Sequence, residues 1–216
     1  MATGESGTAS RRQQRAHSRA GDLLHAFAEL AEAADFLSAG RREALRAALA
    51  GIAPEALEAD SGQETGRWRT PLARAEAALS ATAERLAALA SEASGVPIDI
   101  TGYLASEAKN RVVRSVLEAA DDAGLLAYFE ERKAHGELDA DVLLTCARLG
   151  ASRVFFAAIA AAVDLKLDVE MVAAFIEDGG LVLLERMLLR ADISETAREA
   201  ILEAYREAEV RDPTRS

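Results

Sequence analysis

Three short stretches in the last third of the chain share one pattern, and this repetition constrains the fold more than any other feature. Each stretch places a short polar residue, Asp139, Asp168 or Ser194, directly ahead of apolar residues with helical spacing. The three polar residues lie about 29 and then about 26 positions apart, which is the length of one helix-turn-helix unit. We interpret them as helix N-caps that set the pitch of a short, irregular stack of helical hairpins.

The composition favours helices along the whole chain. Half of the residues are apolar but only 5% are aromatic, because alanine supplies much of the apolar half. Alanine is the best helix former, and the chain has only four prolines to interrupt helices. No run of β-branched residues alternates between turn signals as a strand would. The sequence therefore predicts an all-α protein.

Breaks in the apolar pattern divide the chain into three parts. Residues 1–20 lack apolar periodicity and are predicted to form a disordered basic tail. Residues 21–94 are predicted to form a helical bundle. The break at 94–97 is the predicted domain boundary, and residues 98–210 are predicted to form the helical-repeat domain, a curved and compact stack closed by its last helix.

The longest helix of the predicted bundle covers residues 71–93. Thr70 offers an N-cap, and Pro71 suits the first helical position. The apolar residues then alternate three and four apart over three heptads, which is typical of a helix that packs against a nearly parallel partner. That partner is either the helix predicted at 22–37, which we favour, or a second copy, which would make a homodimer through residues 71–93.

The charge of the chain limits the classes of partner. The net charge is −11, which argues against nucleic acid because phosphate binding needs a basic surface. Such a charge would steer basic protein partners towards the chain. The basic tail lacks the apolar core of a secretory signal, and we interpret it as solvated; a docking arm for an acidic partner or a membrane surface is the alternative. The longest apolar run, residues 154–163, is about half the length that spans a bilayer, so no membrane insertion is predicted.

The sequence carries little that points to chemistry. Cys146 is the only cysteine, so no disulfide and no cysteine-based zinc site can form, and a reducing cytoplasm fits. No phosphate-binding loop, nucleophile elbow or zinc-protease motif is present. No two histidines have the spacing of a helical metal site, and His135 is expected to satisfy the last carbonyls of its helix. We predict no metal, no cofactor and no catalytic residue; an enzyme pocket between the two parts would need convergent polar groups.

Two places are candidate functional sites. Trp68 stands between Arg67 and Arg69 in a polar loop, where it either packs back on the helix that it precedes or forms, with the arginines, an exposed anchor for a partner. His25 lies on the first core-type helix. An exposed histidine on a helical bundle is how phosphotransfer proteins accept phosphate, so His25 is a candidate phosphoacceptor.

Several segments of the last third follow an order that is characteristic of one protein family: residues 143–150, 155–160, 172–180 and 183–186. In this order the stretch 138–201 resembles an uncharacterised alphaproteobacterial domain-of-unknown-function family whose members carry short HEAT-like helical repeats. The resemblance implies a HEAT-like fold and a bacterial cytoplasm, and it brings no established activity and no catalytic residues. The leading functional prediction is a non-catalytic protein–protein interaction or scaffolding module with a regulatory role, and histidine phosphotransfer through His25 is the alternative.

Overall fold

The structure is a computed structural model that describes the backbone of residues 5–57, 65–148, 152–163 and 167–211. Side chains are described over residues 19–57, 66–148, 152–163 and 167–210. All regular elements in these ranges are helices, which confirms the all-α prediction. No helix within them is both long enough and apolar enough to cross a membrane.

Nine α-helices account for most of the described chain. In order they are α1 Glu5–Ala33, α2 Ala39–Ala50, α3 Pro71–Ser94, α4 Ile98–Glu118, α5 Asp122–Ala134, α6 Ala140–Ala147, α7 Arg153–Val163, α8 Val169–Arg190 and α9 Glu195–Arg211. Two short 3-10 turns lie at Pro54–Leu57 and Thr65–Arg67.

The repeated polar residues lie at helix starts, as the sequence predicted. The Asp139 carboxylate accepts the Val142 N–H at 3.0 Å and caps α6. The Asp168 carboxylate accepts the Met171 N–H at 2.7 Å and caps α8. Ser194 directly precedes α9, and its carbonyl accepts the Arg198 N–H at 2.9 Å. Each bond satisfies a backbone group that the first or second turn of the helix needs paired.

Helix α8 is interrupted at Gly180. Gly180 has φ 59° and ψ −157°, a conformation that is non-helical and that side chains disfavour. The helix therefore has two segments, which meet at this glycine.

The described chain divides into two compact units by its internal contacts. The first unit consists of described residues within Met1–Arg67 and Arg74–Val116, and the second of those within Trp68–Ala73 and Leu117–Ser216. The domain boundary predicted at 94–97 is therefore wrong. The apolar side chains of α4, among them Leu104 and Ala108, belong to the core of the first unit. A loop with glycine and proline ended a helix there without ending the domain.

The core of the first unit takes in the apolar stripe of α1 and the heptad positions of α3. Leu23 and Phe27 from α1 lie in one hydrophobic cluster with Leu79 and Leu86 from α3. Leu79 and Leu86 are 3% and 0% exposed, so their side chains are already occupied within the chain. This packing corresponds to the intramolecular bundle that we favoured. A homodimer through residues 71–93 would need these same side chains at the surface. Because they are buried within the chain, the alternative of a homodimer interface at these positions is wrong.

The predicted disordered tail is also corrected in part. From Glu5 to Ala20 the backbone is helical and continues into the rest of α1, so no cap separates the tail from the bundle at residue 21. This segment is rich in alanine, arginine and glutamine, which have high helix propensity even without an apolar stripe. Residues 1–4 lie outside the described residues.

The second unit is built around α7. Helices α5, α6 and α8 all pack on α7, and α9 packs on α6 and α8. In an open array of helical repeats each repeat contacts only its neighbours, whereas the contact of α6 with α9 closes these helices around the central one. Within the second unit these helices therefore form a closed group around α7, and the HEAT-like repeat stays a prediction.

Candidate functional site

Trp68 is the first of the predicted site residues, and it is not an exposed anchor. Its side chain is only 9% exposed. The indole ring meets the ring of His135 edge-on, with centroids 4.9 Å apart and an interplanar angle of 70°. Trp68 therefore packs on the end of α5. Of the two alternatives, the exposed anchor is wrong, because a packing surface for the ring exists within the same unit, far away in sequence.

The arginines beside Trp68 remain at the surface. Arg67 and Arg69 are both exposed. The backbone of Arg69, however, is fixed: its N–H donates to the carboxylate of Glu131 on α5. A role for the two guanidinium groups in partner binding stays a prediction. The tryptophan between them is buried and does not form an exposed anchor with them.

Glu131 joins the start of α3 to α5. Its carboxylate also accepts the Thr70 N–H at 2.8 Å, and the Thr70 hydroxyl accepts the Ala73 N–H at 3.3 Å as the cap of α3. The donors near a helix start have no partners within the helix, and a negative charge there interacts favourably with the helix dipole. Glu131 thus completes the capping of a helix 61 residues away in the chain.

The environment of Glu131 lowers its pKa. Burial raises the pKa of this carboxyl, but the hydrogen bonds from the backbone of Arg69 and Thr70 act in the opposite direction and outweigh it. The Thr70 hydroxyl and the charge of His135 lower it further. The net result is a pKa below the ordinary value of 4.5, so the ionised form is the one that the fold favours.

His135 ends α5 in the way that the sequence suggested, although through its backbone. Its N–H donates to the carbonyls of Glu131 and Arg132 at 3.1 and 3.2 Å. Gly136 follows with φ 71°, and the N–H of Glu137 reaches the Arg132 carbonyl at 2.8 Å. This is the Schellman arrangement that commonly closes helices. The imidazole is left free to meet Trp68.

His25, the candidate phosphoacceptor, is on the surface of the first unit. Its side chain is 78% exposed, and Nε2 lies 3.4 Å from Oε1 of Glu29, one turn further along α1. The ring borders a shallow groove of about 280 Å³ between α1 and α2, where Arg46 also lies. Arg46 is paired with Glu32 at 2.6 Å. His25 therefore has the exposure that phosphotransfer requires. The neighbouring Arg46 guanidinium is already paired with the carboxylate of Glu32.

Ligand-type side chains are scattered among the described residues. No group of three or more histidine, cysteine, aspartate or glutamate side chains in that part of the chain could hold a metal ion. Cys146 is buried in α6, next to Ala147 and close in sequence to the equally buried Leu143. It fills space as a small apolar side chain.

Sequence reasoning missed two groups of exposed apolar side chains. Phe36 and Tyr103 lie in the first unit, where their ring centroids are 6.2 Å apart and the ring planes make an angle of 69°. Met171 and Phe175 lie one turn apart on α8 in the second unit, and both are exposed. A helical-wheel comparison could have flagged the second pair, because Val172 and Ile176 form a separate apolar stripe on the same helix.

The Glu131 contacts lead to a prediction about pH. We expect Glu131→Gln to lower the free energy of unfolding by about 1 kcal/mol at pH 7, because a neutral amide is a weaker acceptor for the two N–H groups; partial solvent exposure limits the effect. A depressed folded-state pKa stabilises the fold above the unfolded-state pKa, and this stabilisation is lost as the pH falls through the folded-state pKa. The difference between wild type and variant should therefore shrink below pH 4.5.

Urea unfolding at a series of pH values measures this difference. Glu130→Gln is the matched control, since Glu130 is exposed, lies on the same helix and loses the same charge. We expect it to change stability little at any pH. An equal effect of the two substitutions, or an effect of Glu131→Gln that persists unchanged in acid, would contradict the role given to Glu131.

No protein-family model matches the chain, and no curated protein or solved structure is significantly similar to it. The resemblance of residues 138–201 to the family with HEAT-like repeats therefore stays a prediction. The functional argument depends on the surfaces that the described residues present.

Proposed function

We propose that this protein is a non-catalytic interaction or scaffolding module of the bacterial cytoplasm, with a regulatory role through the partner that it holds. The observation that carries the proposal is the pair of aromatic side chains on the surface of the first unit, Phe36 and Tyr103. They are 61% and 57% exposed, whereas Phe27 in the same unit is fully buried. Large apolar groups that lie together in water are typical of surfaces that a partner covers, whereas singly exposed ones are ordinary.

The position of the pair suits recognition. Phe36 lies in the turn between α1 and α2, and Tyr103 lies on α4, so two separate elements hold the rings. The rings meet edge to face, a favourable aromatic geometry that limits their freedom before any partner arrives. Aromatic side chains with few torsions lose little entropy on binding and are enriched among the residues that dominate interface energies.

The test of this function is recovery of a partner from cells of the source organism. After crosslinking in the cell, the tagged full-length protein is purified and the attached proteins are quantified by mass spectrometry. We expect the double substitution Phe36→Ser with Tyr103→Ser to reduce recovery of the specific partner about tenfold, because it removes two hot-spot side chains.

Val210→Ser is the matched control for this experiment. Val210 is also a large exposed apolar residue, on α9, and lies outside the aromatic pair. We expect recovery with Val210→Ser to equal that of the wild type. If no protein is enriched with the wild type, the proposed function is wrong. If the double variant recovers as much of every enriched protein as the control does, the aromatic pair is not the surface that holds the partner.

Histidine phosphotransfer through His25 is the second candidate function. The observation that favours it is the exposure of the ring on a helix of an all-α unit, with Glu29 near Nε2. A carboxylate at that distance can orient the imidazole and accept a hydrogen bond from one ring nitrogen, which leaves the other available as a nucleophile.

Phosphoramidate, a small phosphodonor for imidazole, tests the second candidate. If the candidate is right, the wild-type protein becomes phosphorylated at His25 and His25→Gln does not. His135→Gln still does, because His25 is intact in this variant and the His135 ring packs edge-on against Trp68. Intact-mass measurement followed by site mapping reports the outcome. An unphosphorylated His25 in the wild type would remove this candidate.

A further inference from the structure

The first segment of α8 carries two neighbouring apolar stripes, one buried and one exposed. Val172 and Ile176 face inwards and are almost fully buried in the second unit. Met171 and Phe175 lie on the outer side at 49% and 44% exposure, four residues apart and therefore neighbours on the helix surface. Together with exposed Ala174 they form what we call the Met171–Phe175 patch. No packing role in the second unit requires this outer side to be apolar.

Carboxylates surround the Met171–Phe175 patch. Asp168, Glu170, Glu177 and Asp178 are all exposed and all lie within one or two turns of the two apolar side chains. The sequence has no lysine or arginine between residues 167 and 185. Within the part of the chain that the structure describes, Glu170, Glu177 and Asp178 form no ion pair. The Asp168 carboxylate accepts the Met171 N–H as the helix cap.

Most of the net negative charge of the chain lies in the second unit, which carries the Met171–Phe175 patch. The segments 68–73 and 117–216 contain 21 acidic and 12 basic residues, a net charge of −9. The segments 1–67 and 74–116 contain 15 acidic and 13 basic residues, a net charge of −2. The second unit therefore attracts cations over a longer range than the four nearby carboxylates alone would.

We propose that the Met171–Phe175 patch binds a cationic amphipathic helix of a partner protein. Apolar side chains of that helix, spaced three or four residues apart, would pack on Met171 and Phe175, and its flanking lysines and arginines would pair with the four carboxylates. The flexible, polarisable methionine adapts to the shape of the incoming side chain. This inference rests on the proposed interaction function and adds the chemistry of the partner.

Charge complementarity selects this occupant over others. A second copy in a two-fold symmetric dimer would bring the same four carboxylates opposite themselves, which is repulsive. Nucleic acid and the anionic lipid surface of a membrane carry the same sign of charge as the patch and are repelled. A cationic amphipathic helix satisfies both the apolar centre and the acidic surroundings.

The probe for the experiment is a synthetic helical peptide of about 18 residues, with leucines on one face and lysines on the other. Fluorescence anisotropy measures its affinity for the full-length protein at low and physiological ionic strength. A scrambled peptide of the same composition has the same charge but no apolar face. We expect the amphipathic peptide to bind at least tenfold more tightly than the scrambled one.

Two sets of variants locate the binding. We expect Met171→Ser with Phe175→Ser to weaken binding about tenfold, and Glu170→Gln with Glu177→Gln and Asp178→Asn to weaken it and flatten its dependence on salt. Val182→Ser with Leu189→Ser is the matched control, because these side chains are exposed and apolar on the same helix but Arg186 and Arg190 lie beside them. We expect this control to bind like the wild type, and circular dichroism verifies that all variants fold.

Several results would overturn the proposal. The first is equal binding of the scrambled peptide, which means charge attraction without a docking site. The second is peptide binding that is absent, or that is unchanged in the Met171 and Phe175 variant. A third is a dimer mass by light scattering that this variant abolishes, because the patch would then join two copies. A peptide of residues 5–20, which contains Arg11, Arg12, Arg15 and Arg19, is expected to displace the amphipathic peptide only weakly. Tight competition by this peptide would mean that the basic segment of another copy is the occupant of the patch, which would also overturn the proposal.

The outcome is distinguishable from failure of the proposed function. If the native partner is recovered through Phe36 and Tyr103 while the amphipathic peptide does not bind, the interaction function stands and the assignment of the Met171–Phe175 patch falls. If no partner is recovered at all, the function itself falls.

Discussion

Helix α7 has no polar side, and the arrangement of the second unit follows from this constraint. Nine of its eleven residues are buried, including Phe155, Phe156 and Ile159. A helix that is apolar all round must be covered on every side, and each large side chain gains about 1.5–3 kcal/mol by leaving water. Helices α5, α6 and α8 supply most of this cover. On α9, the ring centroid of Tyr205 lies 5.3 Å from that of Phe155.

Charged side chains hold both ends of α7 against α5. The Lys133 ammonium donates to the carbonyls of Ala161 and Ala162 at 3.0 and 3.2 Å, where the last carbonyls of the helix lack partners. At the other end the Arg153 guanidinium lies 2.5 Å from Asp122. Burial drives the assembly, and these polar contacts fix its register. The outer surfaces of the surrounding helices, such as that of α8, are then free to carry binding residues.

The local part of this structure could be predicted from the sequence. The caps at Asp139 and Asp168, the helix that begins at Pro71 and the break at Gly180 each depend on residues within a few positions of one another. The boundary at 94–97 was wrong because it depends on where the apolar face of α4 packs, and a glycine–proline break does not report that. The continuous α1 does not follow from apolar periodicity, because its first part has helix propensity but no apolar stripe.

The candidate sites depend even more on contacts between distant residues. Trp68 and Glu131 meet their partners across more than sixty positions, so neither the burial of the tryptophan nor the shared capping of α3 can be read from spacing. The exposure of Met171 and Phe175 follows from which of two apolar stripes on α8 faces α7, and both stripes have helical periodicity. Exposure of His25, by contrast, was predictable because it lies off the apolar stripe of α1.

Amide hydrogen exchange along the second unit is the most direct test of the central place of α7. If α7 is the element around which the others assemble, its amides open only when the whole unit unfolds, and those between Phe156 and Val163 will be the slowest to exchange in the unit. Amides of α9, which covers the group from outside, should exchange faster. Exchange in α7 as fast as in α9 would contradict the account.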